Sequence, residues 1–140
     1  MEHASLLRSS LRPAIIVGAC ALSLTAALAL TDVYRARSER FASATALTRG
    51  DPSRAAVIFR RYGCSGCHTI PGIDGADGKV GGDLSGLRER VYIAGVLNNS
   101  ADNLVGWIVT PQSYSPKTAM PTTGISEKEA RDLAAYLYAH

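Results

Sequence analysis

Cys64-Ser65-Gly66-Cys67-His68 is the stretch around which this 140-residue chain is organised. Cys-x-x-Cys-His is the attachment signature of a c-type haem. Two thiols at that spacing can each add to one vinyl group of a single porphyrin. The histidine that follows is carried beneath the ring, where its imidazole can bind iron. Two other readings share these residues. A Cys-x-x-Cys pair can be half of a zinc site, but the only other cysteine is Cys20, inside an apolar run, so no second metal pair is on offer. A thioredoxin-like redox pair calls for a surrounding βαβ pattern, which is absent, and leaves His68 incidental.

Composition agrees with a buried porphyrin. With two phenylalanines and one tryptophan, a core made of protein alone would be thin. Domains below about 100 residues are already marginal on surface-to-volume grounds. The formal charge is +3, yet from Pro52 onward nine Lys or Arg face eight acids, so the C-terminal part is nearly neutral. Nothing in it has the basic clustering of a nucleic-acid footprint.

Pro13 to Leu30 is apolar apart from Ser23 and Thr25, with Arg8 and Arg12 before it. The run sits at the lower limit of the roughly 17–25 residues a spanning helix needs. An uncleaved anchor is the leading reading. A cleaved secretory signal ending at Ala27-Leu28-Ala29 stands beside it, as does a lipoprotein signal at Val17-Gly18-Ala19-Cys20, although the residues after Cys20 stay apolar. Each of the three exports the rest of the chain. Arg35, Arg37 and Arg40 outnumber Arg8 and Arg12, so the positive-inside count does not place the C-terminus outside. The organisation expected is therefore an anchor over residues 1–33, a linker over 34–50 that is either extended or continues the anchor helix, and a folded domain over 51–140.

In that domain Asp51-Pro52 reads as an N-cap and first helical position. Ala55, Ile58, Phe59 and Tyr62 recur at helical spacing, and Gly63 ends the helix just ahead of Cys64. Thr69 to Gly86 is glycine-rich and irregular. Tyr92 to Leu97 is expected as a short turn of helix. Ser100 caps a helix over residues 101–109, stopped by Thr110-Pro111, and a loop follows from Gln112 to Gly124. Ser126 and Glu129 form a capping box for a last helix, Glu127 to Ala139, with Ala130, Leu133, Ala134 and Leu137 on one stripe. No strand pattern and no repeat is evident, so the fold class expected is all-α. Phe59 and Tyr62 of the first helix should face Leu133 and Tyr136 of the last. Met120 lies between Pro116 and Pro121, away from any apolar periodicity. His140 is expected to be a frayed end and a poor ligand.

With the haem motif near its start and Ala119-Met120-Pro121 near its end, the stretch from 52 to 140 resembles a class I c-type cytochrome. Gly81-Gly82-Asp83-Leu84 is similar to that family's Gly-Pro-Asp-Leu. Leu104, Trp107-Ile108 and Pro111-Gln112 are similar to its Leu-x-x-Trp-Ile-x-x-Pro-Gln, and Pro116 to Pro121 to its Lys-Pro-Gly-Thr-x-Met-Pro. These middle pieces are most similar to the cytochrome domain fused to subunit II of some haem–copper oxidases, and to membrane-anchored cytochromes c. The likeness to subunit II is expected to stop at that domain, without its copper-binding part.

The resemblance implies a class I cytochrome c fold behind an N-terminal transmembrane helix, with one covalent haem c on Cys64 and Cys67. His68 and Met120 would be the axial iron ligands. The Gly82 carbonyl would accept from His68 Nδ1 on a backbone looser than the family's proline. Leu84 and Pro121 belong to the matching motifs around the haem, while Arg90 and the Trp107 indole would reach its propionates. With both axial positions filled, no open site remains for a substrate, which implies an electron carrier and not an enzyme. The partners implied are a quinol-oxidising complex as donor and a terminal oxidase as acceptor. The location implied is the bacterial inner membrane with the haem domain in the periplasm, and no nucleic acid is involved. A fixed cytochrome c subunit of a dehydrogenase or oxidase complex is the alternative. An enzyme or gas sensor with an open coordination site is a third reading, and needs Met120 to be unligated.

Overall fold

The structure, a computed structural model, describes residues 3–140, with side chains from residue 15 onward. Met1 and Glu2 of the expected anchor lie outside the described residues, as do the side chains of Arg8, Arg12 and Pro13. The chain divides into two compact units, Met1–Ser38 and Glu39–His140.

The first unit belongs to one helix, α1 (His3–Thr48). Every described side chain from Ile15 to Ser38 is exposed, including Ile15, Ile16, Val17, Leu22, Leu24, Leu28 and Leu30. Each such side chain left in water forgoes about 1.5–3 kcal/mol of burial. The helix is long and apolar enough to cross a membrane. Three of its described hydroxyls are spent internally. Ser23 and Thr25 donate to the carbonyls of Cys20 and Leu22 at 2.9 Å, and Thr31 to that of Ala27 at 2.8 Å. In lipid a polar side chain satisfied by its own backbone costs far less than an unpaired one.

The second unit is all-α apart from one small hairpin. After α1 come a 3₁₀ turn (Pro52–Arg54), α2 (Ala55–Arg61), strands β1 (Tyr92–Ile93) and β2 (Leu97–Asn98), α3 (Ala101–Val109), α4 (Pro111–Tyr114) and α5 (Glu127–Ala139). The last helix is the centre of the packing, touching α2, α3 and both the Pro52 turn and the Leu87–Glu89 turn. Its expected stripe is buried, and Ala135, Tyr136, Tyr138 and Ala139 are buried with it. Phe59 meets Tyr136 edge to face at 5.6 Å, the packing of first helix on last that the periodicity predicts. Phe59 and Leu133 are each 1% exposed, so truncating either to alanine costs on the order of 2–5 kcal/mol.

The caps form where the sequence places them. Asp51 accepts from Ser53 N at 2.9 Å and Ser100 from Asn103 N at 3.3 Å. Ser126 accepts from Glu129 N at 3.2 Å while Glu129 reaches back to Ser126 N at 3.4 Å, completing the box. Glu129 does more than cap. Its carboxylate also accepts from Tyr62 Oη at 2.9 Å and from Arg61 at 2.8 Å, tying the end of α2 to the start of α5. The hydrogen bond from Ser126, then that from Tyr62, holds its pKa below the ordinary 4.5. A carboxyl depressed by folding contributes stability above its unfolded pKa and loses it as pH falls through the folded value. Glu129→Ala should therefore lower the thermal midpoint at neutral pH, and the gap to wild type should narrow as pH falls below about 4.5. A gap that is constant from pH 7 to pH 3 would show that the charge on Glu129 is not what stabilises the junction.

Several features depart from the expectations. Residues 34–50 are helical to Thr48, as a linker that continues the anchor helix would be, but the end of that helix belongs to the folded unit. Phe41 packs on the core, while Ala44 and Thr48 are fully buried. These three stand at i, i+3 and i+7, a stripe too short and too small-sided to register as an apolar face. The end is held by long-range bonds. Arg131 donates to the Thr48 carbonyl at 3.2 Å, and Asp51 N donates to buried Asp132 at 2.7 Å. The other Asp132 oxygen makes no hydrogen bond, but the Arg54 guanidinium lies 3.4 Å away and supplies opposite charge. Gly50 is tight against α5: a Cβ there would come within 2.7 Å of Asp132 N.

Tyr92 to Leu97 is a β-hairpin and not a helical turn, with Tyr92 opposite Asn98 and Ile93 opposite Leu97. Val96 N donates to Ile93 O across Ala94 and Gly95, whose φ values of 50° and 74° make the paired positive-φ turn that hairpins favour. Pro111 does stop α3 but also opens the single turn α4, its fixed φ suiting the first helical position. His140 is not frayed. Its ring stacks on Tyr136 at 4.0 Å, meets Phe41 edge-on at 5.2 Å, and places Nδ1 3.0 Å from the Tyr136 carbonyl.

Candidate haem site

Gly63, with φ of 70°, ends α2 and turns the chain into a 3₁₀ turn over Cys64–Gly66. Cys67 N and His68 N both donate to Cys64 O, at 3.2 and 3.0 Å, so the motif is wound into one tight coil. Cys64 is half-buried and packs on the core, and burial pushes its thiol pKa up. Cys67 is exposed, and both thiols are free.

His68 is positioned by the loop that passes beside it. Its Nδ1 donates to the Gly82 carbonyl at 2.6 Å, as the resemblance implies. A carbonyl only accepts, so Nδ1 carries a proton, and in the neutral ring Nε2 has the free lone pair. Gly81 N donates to Cys67 O at 2.7 Å and Leu84 N to Thr69 O at 2.9 Å, which stitches the loop to the motif on both sides of Gly82. A Cβ on Gly81 would lie 2.7 Å from the Nδ1 and 2.8 Å from the Nε2 of His68. Only glycine fits there. Gly78 is a second such approach, its Cβ position falling 2.7 Å from the Cys67 backbone. Leu84 packs partly buried against the core.

Met120 sits half-buried on the same core, in the loop after α4. Gln112, on α4, donates from Nε2 to the Met120 carbonyl at 2.7 Å and accepts a hydrogen bond from Thr122 Oγ1 through Oε1. It thus spans the methionine and the Pro121 that follows. Sequence reading matched Gln112 to a motif without giving it a task. The signal available was an amide one residue after a helix-starting proline and eight before the methionine. Gly81 was likewise quoted without a role.

Trp107 is buried on α3, and Pro121 is exposed. Arg90 is exposed, and its Nη2 donates to the backbone carbonyls of Asp83 and Ser85, at 2.5 and 2.9 Å. Cys64, Cys67, His68, Gly82 and Leu84 are therefore joined by direct bonds or neighbouring backbone, with Arg90 attached through the 83–85 backbone. Met120 and Trp107 come from other elements onto the same core.

This donor set suits a covalent haem. Two free thiols stand three residues apart, an imidazole has Nδ1 committed and Nε2 available, and a half-buried thioether is held by its own loop. Among the described residues no group of three or more His, Cys, Asp or Glu converges as a metal cluster, which leaves the zinc reading without ligands there. The sheet among them is a two-stranded hairpin, so the thioredoxin reading lacks its framework. A small helical domain with a haem-attachment coil and a thioether loop defines an electron-transfer haem protein. The chain belongs to the cytochrome c family, whose model matches residues 53–139, and whose members carry covalent haem c and transfer electrons through it.

Individual proteins agree. The cytochrome c oxidase subunit 2 of Alkalihalophilus pseudofirmus is 37% identical over 81 residues, covering 57% of this chain and 23% of that protein. That of Bacillus sp. (strain PS3) is 31% identical over 85 residues, covering 58% and 24%. A cytochrome c of Theileria annulata is 33% identical over 100 residues, covering 63% and 84%. The chain thus spans about a quarter of the length of the two oxidase subunits. No solved structure matches it significantly.

Proposed function

We propose that this protein is a single-haem electron carrier, held to a bacterial inner membrane by α1 with the haem domain in the periplasm. It takes electrons from a quinol-oxidising complex and passes them toward a terminal oxidase. The haem, when attached, supplies one-electron redox chemistry. Cys64 and Cys67 would hold it by thioether bonds, His68 Nε2 and Met120 would ligate its iron, and the Gly82 carbonyl would raise the basicity of His68. Leu84, Trp107 and Pro121 belong to its surroundings, and Arg90 and Trp107 are the groups for its propionates. A thioether ligand favours the reduced iron and raises the potential, which suits the oxidising end of a respiratory chain. With two protein ligands there is no position left for a substrate, so the role is carriage and not catalysis.

The observation that carries the reading is the pairing of an exposed, span-length apolar helix with a cytochrome c domain similar to those in oxidase subunits. The same likeness favours a second reading, a fixed subunit of an oxidase or dehydrogenase complex. Membranes from cells expressing the full chain distinguish them. A carrier is expected to stay with salt-washed membranes, to run alone in mild detergent, and to be reoxidised when reconstituted in vesicles with a terminal oxidase. Haem that co-migrates with other subunits would establish the fixed-subunit reading, and haem recovered in the soluble fraction would remove the tether.

A further inference from the structure

We propose that Arg90 is a positioning residue that clamps the Gly82 carbonyl onto His68; the proposal rests on the reading of His68 as an iron ligand. The guanidinium does not touch His68. Its Nη2 donates to Asp83 O at 2.5 Å and to Ser85 O at 2.9 Å, immediately beyond the carbonyl that accepts from His68 Nδ1 at 2.6 Å. Within the same turn Asp83 accepts from Ser85 N at 2.7 Å. The peptides that follow Gly82 are thus held by Arg90, while Gly81 N and Leu84 N tie the loop to the motif.

Gly82 is where the loop needs such help. Glycine has the widest backbone freedom of any residue. Among the described residues its amide N–H makes no hydrogen bond, and a Cβ there would meet nothing within 4 Å. Neither packing nor its own donor fixes the direction of the carbonyl. Arg90 in turn has a fixed base. Asn99 Nδ2 donates to the Arg90 carbonyl and to the Leu87 carbonyl, both at 2.7 Å. Asn99 Oδ1 accepts from Tyr138 of α5 at 2.6 Å, and burial pushes the Tyr138 pKa up to about 12, so it stays a protonated donor. The clamp therefore runs from the central helix through Asn99 and Arg90 to the loop that orients the histidine.

The clamp is separable from the other role given to Arg90, that of a positive charge near a haem propionate. Lysine separates the two, since it keeps the charge and lacks the planar fork. The test uses the full haem-loaded chain in its reduced, diamagnetic state, with NMR of the His68 Nδ1–H and its exchange with solvent. Under the clamp, Arg90→Ala and Arg90→Lys both speed that exchange by about tenfold, the equivalent of one hydrogen bond's net worth. Gly82→Pro, which stiffens the backbone at no cost in hydrogen bonds, should recover most of the loss in the Arg90→Ala background. If Arg90→Ala fails to fold, the same proline is expected to restore folding. Exchange unchanged in both variants, or lysine behaving as wild type, or a proline that rescues nothing, would overturn the clamp. A wild-type spectrum with no ring-current-shifted His68 Nδ1–H would overturn the ligand reading, and the proposal with it.

Discussion

Alanine at position 81 is expected to displace the His68 ring and destroy the proximal side of the haem site. The added Cβ would sit 2.7 Å from Nδ1 and 2.8 Å from Nε2, inside the contact distance of both ring nitrogens. The ring has no easy escape, because its Nδ1 is bonded to the adjacent Gly82 carbonyl and its backbone is wound into the Cys64 turn. The loop cannot retreat either, since Gly81 N is bonded to Cys67 O at 2.7 Å. Overpacking of this kind costs about 1–3 kcal/mol, and the exposed Nδ1 hydrogen bond lost with it on the order of 1 kcal/mol more. Gly82→Ala is the matched control, for its Cβ enters open space. Optical spectra of the two variants at equal haem content check the point. Gly81→Ala should lose the six-coordinate signature while Gly82→Ala keeps it. A Gly81→Ala protein with the wild-type spectrum and midpoint potential would mean that the loop moves freely away from the ring.

Removing the thioether should have the other large effect. Met120→Ala is expected to leave haem attached through Cys64 and Cys67, to lower the reduction potential, and to open a position that carbon monoxide can take. Axial ligands set haem potentials over about 0.8 V, so a fall on the order of 0.1 V or more is expected. Gln112→Ala should give a weaker version of the same change. Its amide holds the Met120 carbonyl at 2.7 Å and bonds Thr122 beyond it, so without it the loop loses its brace but keeps its sulfur. Potentiometry with a carbon monoxide titration measures both variants. Unchanged potential together with refusal of carbon monoxide in Met120→Ala would show that the sixth ligand lies elsewhere, and would reopen the question of an open coordination site.

The chemistry of the site was legible because it is local. Cys64, Cys67 and His68 lie within five consecutive residues, so their spacing alone states what they can bind. The same holds for the caps at Asp51, Ser100 and Ser126, and for the stripe on α5, each decided by neighbours within a turn or two of helix. Where residue partners are distant, the sequence was silent or misleading. Phe41, Ala44 and Thr48 read as a spacer because the partners of that segment lie far along the chain, as the Phe41–His140 ring contact and the Asp51–Asp132 and Arg131–Thr48 bonds show. The segment at Tyr92 became a hairpin because Ala94 and Gly95 take positive φ together, and alanine is rarely found at such a position, so the pair does not announce the turn. Gln112 and Gly81 gained their tasks, and Arg90 a second one, only from contacts between segments that the fold brings together. Covalent spacing and helical period are properties of the chain itself; the shape of the contact between loops belongs to the fold, since hydrogen-bond direction and close approach are settled only when the backbones have met.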